Sequence, residues 1–438
     1  MAYLRPVRPE PPRRVSSSSW IRWLLARVPS RGGAFPALGF RDFRLFWFGQ
    51  LISLTGTWIQ TVAQQWLVLK LTDSPFALGL VTTIQFIPLL VLALFTGAIA
   101  DRVPKRNLIL VTQVAAGLLA LILGLLVSTG QVRYWHVLVI AALLGTVNAF
   151  YNPARQAFIP ELVDRESLLN AVALNSAIFN GARVVGPAVG GILVATIGLS
   201  LNFYLNAASY LAVIAGLLLI RPVARATRAQ EPLVRNVAEG LRYIFDTPVV
   251  YTILILIGAA SLFGLNFTTL MPLFARYVLN IGSSGFGFLM AAMGLGSLAG
   301  AITLAFVSSR DLARRFIYGG IFAFSAIEIV FAFSRQPAIS AALLFLVGLS
   351  STLFTTSANT RILSLTPQHL QGRVMSVYGL MFLGMTPFGS FLSGVVAQRW
   401  GAPVAAAGGA AITLVLALAV FAYHQSVRAP VPQANSRE

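Results

Sequence analysis

The side chains best placed to do chemistry in this chain are two ionisable groups set inside long apolar runs, Arg183 and Glu328. Either one costs about 2.5 to 3.5 kcal/mol at the centre of a membrane helix, so each needs a partner or a task. Glu328 is the only acid well inside such a run, which makes it the formal candidate for carrying a proton. Its alternative is structural, as an acid bonded to a neighbouring helix. Arg183 suits a counter-charge for an anionic solute, or the partner of an acid that switches with protonation, with helix packing and orientation as its structural alternative. Other chemistries lack their residues. The chain has no Cys and three His, and His136, His369 and His424 stand at run ends or in a loop. There is thus no metal-ligand cluster, no disulfide framework, no thiolate metal site and no cysteine nucleophile. A phosphate-cradling G-x-x-x-x-G-K-[S/T] loop is also absent, so ATP is not a direct driver. The expectation is a protein that is not an enzyme and needs neither cofactor nor metal. A membrane-embedded acyltransferase, the alternative from another class, would require intramembrane His, Asp or Cys.

Amides and hydroxyls also fall into register. In the first apolar run Gln50, Ser53, Thr57, Gln60 and Gln64 share an arc of about 80° at helical phase, with Trp58 and Trp66 nearby. The fourth run carries Asn148, Tyr151, Asn152 and Arg155 on one face. The tenth carries Thr352, Thr355, Thr356 and Asn359, the fifth Ser176, Asn180 and Arg183, and the seventh only Ser261 and Thr268. Polar groups facing lipid are costly, so these stripes point into the protein. They nominate Gln60, Gln64, Asn148, Tyr151, Asn152, Arg183, Thr356 and Asn359 as a substrate pathway. The competing reading is helix-to-helix hydrogen bonding, worth about 0.6 kcal/mol per bond.

The elements that must position these residues follow from composition. Of 438 residues 57% are apolar and 10% charged, against roughly 25% charged in a soluble domain, and mean hydropathy is +0.79. The chain is therefore an all-α integral membrane protein. Twelve runs are long enough to span, at about 45–69, 76–99, 107–128, 134–155, 169–196 and 199–220, then at about 248–271, 285–307, 315–334, 338–361, 372–397 and 402–424. The net charge of +19 does not signal nucleic acid, because the basic residues sit in the gaps between runs. Among 32 Lys and Arg, the odd-numbered loops hold Lys70, Arg133, Arg276, Arg335 and Arg399, Arg183 is intramembrane, and all others lie on the side of the termini. The positive-inside rule then places both termini in the cytoplasm of a multi-pass inner or plasma membrane protein. Residues 1–40 form a basic, Pro- and Ser-rich tail of disordered composition, not a signal peptide. Residues 41–220 and 248–424 form two six-helix bundles, and 425–438 a cytoplasmic tail. Between the bundles, 221–247 is a linker in which Val234, Val237, Leu241, Ile244 and Phe245 recur at the spacing of an interfacial amphipathic helix.

The halves echo each other. Asn152-Pro-Ala-Arg155 with Pro160 answers Asn359-Thr-Arg361 with Pro367. Gly186-Pro187 in the fifth run answers Thr386-Pro387, Gly389, Ser390 and Gly394 in the eleventh, each a small-residue helix interrupted by proline. Parallel halves related by an axis along the membrane normal suit a pathway that opens to either side.

The loop Gly97-Ala-Ile-Ala-Asp101-Arg102-Val-Pro104-Lys105-Arg106 resembles the G-x-x-x-D-R-x-G-R-R signature of the major facilitator superfamily, with Pro104 at a usual glycine. The resemblance implies that Asp101 closes the cytoplasmic side against the start of the eleventh helix, near Gly372 to Ser376. Arg102, Lys105 and Arg106 would pin the loop to that face, and Gly97 would allow close helix approach. Gly181-Ala-Arg183-Val-Val-Gly186-Pro187-Ala-Val-Gly190-Gly191 looks like the G-P-x-x-G-G motif of the family's exporting branch, and equally like a packing seam of small residues. Together with Phe43-Arg-Leu-Phe-Trp47-Phe-Gly-Gln50, these motifs resemble the branch similar to enterobactin exporters and macrolide efflux proteins, over residues 40–425. The resemblance implies a monomeric secondary transporter that exports a small amphipathic drug, antibiotic or siderophore by alternating access, with protons as the coupling ion. A lipid or lysolipid flippase of the same architecture is the alternative within transport, and a sensor that binds without flux is another. The acid that the drug-proton branch often carries in its first helix is absent, so proton coupling rests on the resemblance alone.

Overall fold

The computed structural model describes residues 35–220, 233–306 and 310–426. Their regular structure is entirely helical, as a backbone in hydrocarbon must satisfy its own hydrogen bonds. The first half comprises α1 (Arg41–Thr72), α2 (Pro75–Arg102), α3 (Lys105–Ser128), α4 (Tyr134–Phe158), α5 (Leu168–Thr196) and α6 (Leu199–Leu219). Helix α7 (Leu233–Asp246) lies in the linker. The second half comprises α8 (Pro248–Ala259), α9 (Phe267–Leu273), α10 (Gly282–Phe306), α11 (Arg310–Phe333), α12 (Pro337–Leu365), α13 (Gln371–Phe382), α14 (Thr386–Trp400) and α15 (Ala402–Ser426).

Among the described residues, eleven helical segments are long and apolar enough to cross a membrane. The expected first span is not among them. It forms a 32-residue helix, α1, but its amides and hydroxyls lower its apolarity. The seventh span is less regular than its sequence suggests. It consists of α8 and α9 joined through π-helical Ala260–Gly264 and a break at Leu265 and Asn266, and it ends in π-helical Phe274–Val278. Two proline sites expected to match also differ. The eleventh span is split at residues 383–385 into α13 and α14, with Pro387 in the first turn of α14. In the fifth span, by contrast, α5 runs unbroken through Pro187.

The two halves pair their helices alike. Helix α2 packs on α4 as α10 packs on α12, and α3 packs on α6 as α11 packs on α15. The turns into α6 and α15 are made by Gly198 and Gly401, at φ +89° and +87°, a backbone region that favours glycine. Between halves the main contacts are α5 with α10 and α2 with α14.

Helix α7 carries apolar residues both inward and outward. Ile244 is buried, while Phe245 is 66% exposed. The Tyr243 hydroxyl donates to the Leu365 carbonyl at 2.7 Å, and Glu239 pairs with Arg373 of α13, so α7 is fastened to the second half. The expectations for 1–34 and 221–232 lie outside the described residues.

Within the second half, α10 and α12 touch backbone to backbone. A Cβ on Gly296 would lie 2.7 Å from the Phe345 carbonyl carbon and 3.0 Å from Leu349 N. Gly296→Ala should therefore cost about 1 to 3 kcal/mol, read as a lower Tm of the detergent-solubilised protein; an unchanged Tm would show that the two helices separate without penalty.

Candidate functional site

The seam between the halves is shut at the face opposite α7. Gly191 of α5 and Gly287 of α10 oppose each other reciprocally: a Cβ on the first would lie 2.8 Å from the Cα of the second, and the converse distance is 2.9 Å. Gly79 of α2 and Gly394 of α14 repeat the arrangement at 2.9 and 3.0 Å. Hydrogen bonds cross beside the second pair. The Thr83 hydroxyl donates to the Pro387 carbonyl at 2.9 Å, and the Ser74 hydroxyl to Gln398 Oε1 at 2.8 Å. Asp73, left-handed at φ 49°, joins α1 to the seventh span. Its Oδ1 accepts from Arg276 Nη2 and from the Tyr277 hydroxyl, both at 2.6 Å, and Arg276 Nη1 also donates to the Leu69 carbonyl at 3.0 Å.

Toward α7 the seam parts. A Cβ on Gly181, Gly372 or Gly379 would meet no atom within 4 Å. Exposure along α5 reports the same change. Leu169, Val172, Ser176 and Phe179 are exposed in the half near α7, whereas in the far half the exposed residues include Val185 and Ile192, on another face. Ser176 is exposed, yet Val194, about five turns on along the same line, is 9% exposed.

Arg183 sits where the contact begins. It is half-buried, and among the described residues its guanidinium has no hydrogen-bond or ion-pair partner. Pro187 has no N–H to bond the Arg183 carbonyl, and α10 comes close at this point: a Cβ on Gly294 would be 3.1 Å from that oxygen.

The other predicted pathway residues divide. Gln60 accepts from Asn206 of α6 at 2.7 Å, and Gln64 donates to Gln85 of α2 at 3.3 Å. Both are buried and bond α1 to its neighbours. Tyr151 is buried and donates to Gln50 at 2.5 Å. Asn148, Asn152 and Asn359 are half-buried and Thr356 is exposed. Arg155 is buried. Its Nη1 donates to Asn175 of α5 at 3.3 Å and its guanidinium lies 5.8 Å from the Tyr151 ring centroid, while its Nε has no partner.

Of the predicted gating residues, Gly186 and Gly190 seat α5 on α1; a Cβ on them would lie 3.1 Å from the Thr55 carbonyl oxygen and 3.0 Å from Ile59 Cα. The glycines of the G-P-x-x-G-G motif thus make close helix contacts, with α1 and, through Gly191, across the seam. Arg106 caps α6, with Nε donating to the Leu217 carbonyl at 2.6 Å, and Lys105 pairs with Glu161. Gly97, Asp101 and Arg102 fall in the last turns of α2, and their side chains lie outside the described part. At the start of α13, where Asp101 was expected to close the face, Gly372 and Ser376 are exposed and Arg373 is paired with Glu239. Glu328 is 1% exposed, and among the described residues neither carboxyl oxygen has a partner. It lies inside the second half, between Phe324 and Phe331 on α11, whose rings pack on Phe267 and Phe274 at 6.2 and 4.6 Å.

Sequence reasoning passed over Asp73, Arg276 and Tyr277. The available signal was that Asp73 is the lone acid in the odd-numbered loops, whose other charges are Lys70, Arg133, Arg276, Arg335 and Arg399.

Comparison with known proteins accords with this architecture. Residues 33–437 match a family model described as transmembrane secretion effector. The chain is 28% identical to the multidrug efflux pump Tap of Mycolicibacterium fortuitum, over 82% of this chain and 89% of the relative. It is 26% identical to the staphyloferrin A transporter of Staphylococcus aureus, over 82% and 90%, and 25% identical to the enterobactin exporter EntS of Escherichia coli, over 90% and 95%. A crystal structure of a bacterial homologue of the human lysosomal transporter Spinster, inward-facing and unoccupied, superposes with a TM-score of 0.70 at 14% identity, covering 91% of this chain and all of the other.

The Asp73 contact makes a prediction. Exposed ion pairs contribute about 0.2 to 1 kcal/mol, so Asp73→Asn should raise opening of the far face by up to about five-fold. Because the natural chain has no Cys, this can be read as the thiol-labelling rate of Ala397→Cys, which is buried beside the contact. An unchanged rate would dismiss Asp73 as a latch.

Proposed function

For a chain that belongs to the transmembrane secretion effector family, within the major facilitator transporters, we propose export of a small amphipathic molecule out of the cytoplasm by alternating access, in exchange for protons. The observation that carries this reading is a seam shut at one face and parted at the other, with an unpartnered Arg183 where the two regimes meet. The face bearing α7 is the cytoplasmic one, since the basic residues crowd there. The parted seam is then an inward-open state, and the solute classes named for the relatives, drugs and siderophores, are the first to test.

Two elements would have to change for the far side to open: the Asp73 contact with Arg276 and Tyr277, and the glycine pairs that bring α5 onto α10 and α2 onto α14. The start of α13 would then close against the loop containing Asp101. Glu328 is the group to which we assign the proton, because an ionised carboxylate at its position lacks any compensating partner. It lies off the seam, so its effect on the pathway would pass through the interrupted seventh span that its neighbours Phe324 and Phe331 contact.

A second reading, a lipid or lysolipid flippase, is favoured by the exposed Leu169, Val172 and Phe179 on the parted stretch of α5, an apolar wall that an acyl chain could follow.

Proteoliposomes holding the full chain, an imposed pH gradient and a panel of siderophores, macrolides, cationic dyes and a fluorescent lysolipid test these readings together. We expect flux of at least one soluble compound that rises with the gradient, and Glu328→Gln should retain downhill flux while losing its response to pH. Flux indifferent to the gradient in the unmodified protein removes the antiport, and movement of the lysolipid alone replaces export of soluble compounds with flipping.

A further inference from the structure

We infer that the solute carries an acidic group, a carboxylate, sulfonate or comparable oxyanion beside an apolar or aromatic body, and that Arg183 is the counter-charge that selects it. This rests on the export reading and specifies what is exported.

The inference follows from the charges along the seam. Of the helices that meet there, α1 and α2 contain acids only at their ends, Asp42 and Asp101, and α4, α5, α8, α9, α10, α12, α13 and α14 contain none. Glu328, the acid deepest in a span, is on α11 and enclosed by the second half. The positive charges well within the first half are Arg155 and Arg183. Arg155 is buried, engages Asn175 through Nη1 and lies over the Tyr151 ring, with only its Nε left over, so it is not open to a solute as Arg183 is. Arg183 keeps all five of its N–H donors without a protein partner among the described residues.

Such a guanidinium is tolerable while the seam is open and water reaches it. When the parted face closes, that water is withdrawn, and a cation left without a counter-ion is heavily penalised. No acid on the seam helices is available at this depth to compensate, so the compensating charge must arrive with the solute. A cationic solute would instead place two like charges together, which penalises the wrong partner. Phe179, one turn before Arg183 on α5, is exposed and offers an aromatic surface beside the charge. An acid on an apolar scaffold matches this pair of neighbours. Arg183 is thus a specificity-determining residue, and the acid partner that might have switched it is missing from the seam.

Two permanently charged probes on one scaffold, naphthalene-2-sulfonate and 2-naphthyl-trimethylammonium, test this without leak through the lipid. Uptake is measured in proteoliposomes of the full chain with the membrane potential clamped at zero, alongside an anionic lysolipid. The unmodified protein should take up the sulfonate in preference to the ammonium. Arg183→Gln should raise the KM for the sulfonate at least about ten-fold, the range expected on losing a charged hydrogen bond, and Arg183→Lys should retain most of the affinity. Arg183→Glu should reverse the preference toward the ammonium, a gain that a misfolded protein cannot show. Ammonium uptake equal to or above that of the sulfonate, or a sulfonate KM unmoved by Arg183→Gln, overturns the inference and leaves export standing. Uptake of the lysolipid alone means that the acid group belongs to a lipid, and the inference for soluble solutes is lost. If no probe moves, and the broader solute panel is also inert, export itself fails and this inference falls with it.

Discussion

Two pairs of glycines, brought together so closely that a methyl group on Gly79, Gly191 or Gly287 would collide with the opposing backbone and one on Gly394 would crowd it, hold the halves of this protein against each other. In a membrane there is little hydrophobic drive between helices, and association depends on close packing and hydrogen bonds. Gly191 with Gly287, and Gly79 with Gly394, supply the first requirement. Thr83 and Ser74 supply the second beside one of the pairs. Both pairs lie toward the same face, so the halves meet there and diverge at the other. The cleft is the geometric result of where small residues stand along four helices.

The polar side chains serve two different ends, and burial separates them. On α1, Gln60 and Gln64 are bonded to Asn206 and Gln85. They tie the first half together, as buried polar groups must be satisfied. On α5 and α12, Ser176, Arg183 and Thr356 retain exposure. The same half therefore holds a helix bonded to its neighbours beside one on which Ser176 bonds only its own helix and Arg183 has no partner among the described residues.

The helical class and the near-complete set of spans were legible because hydrocarbon permits few alternatives to a long apolar helix, whereas several ends moved by three to five residues. The glycine motif of the fifth span was legible as close packing, but its partners were not, since one helix does not disclose which neighbour its small residues face. Helical phase left Gln60 and Gln64 open between a pathway and helix-to-helix bonding for a related reason. It distinguishes lipid from interior and does not separate a cleft from an adjoining helix. The breaks of the seventh span at residues 260–266 carry no proline, and their local signal was only Gly264 and Asn266, both poor helix formers. Asp73 and Arg276 are about two hundred residues apart in the chain, and only the juxtaposition of the halves makes them a pair.

The division of the eleventh span into α13 and α14 bears on how the cleft changes shape. Its far piece is held by Gly394, Pro387 and Gln398, while its near piece is fastened through Arg373 to the amphipathic helix on the surface. A rod jointed at residues 383–385 has an elbow, so the forearm can swing while the upper arm stays clasped. Movement of α7 would consequently be handed through Arg373 to the near piece alone, leaving the far piece where it is.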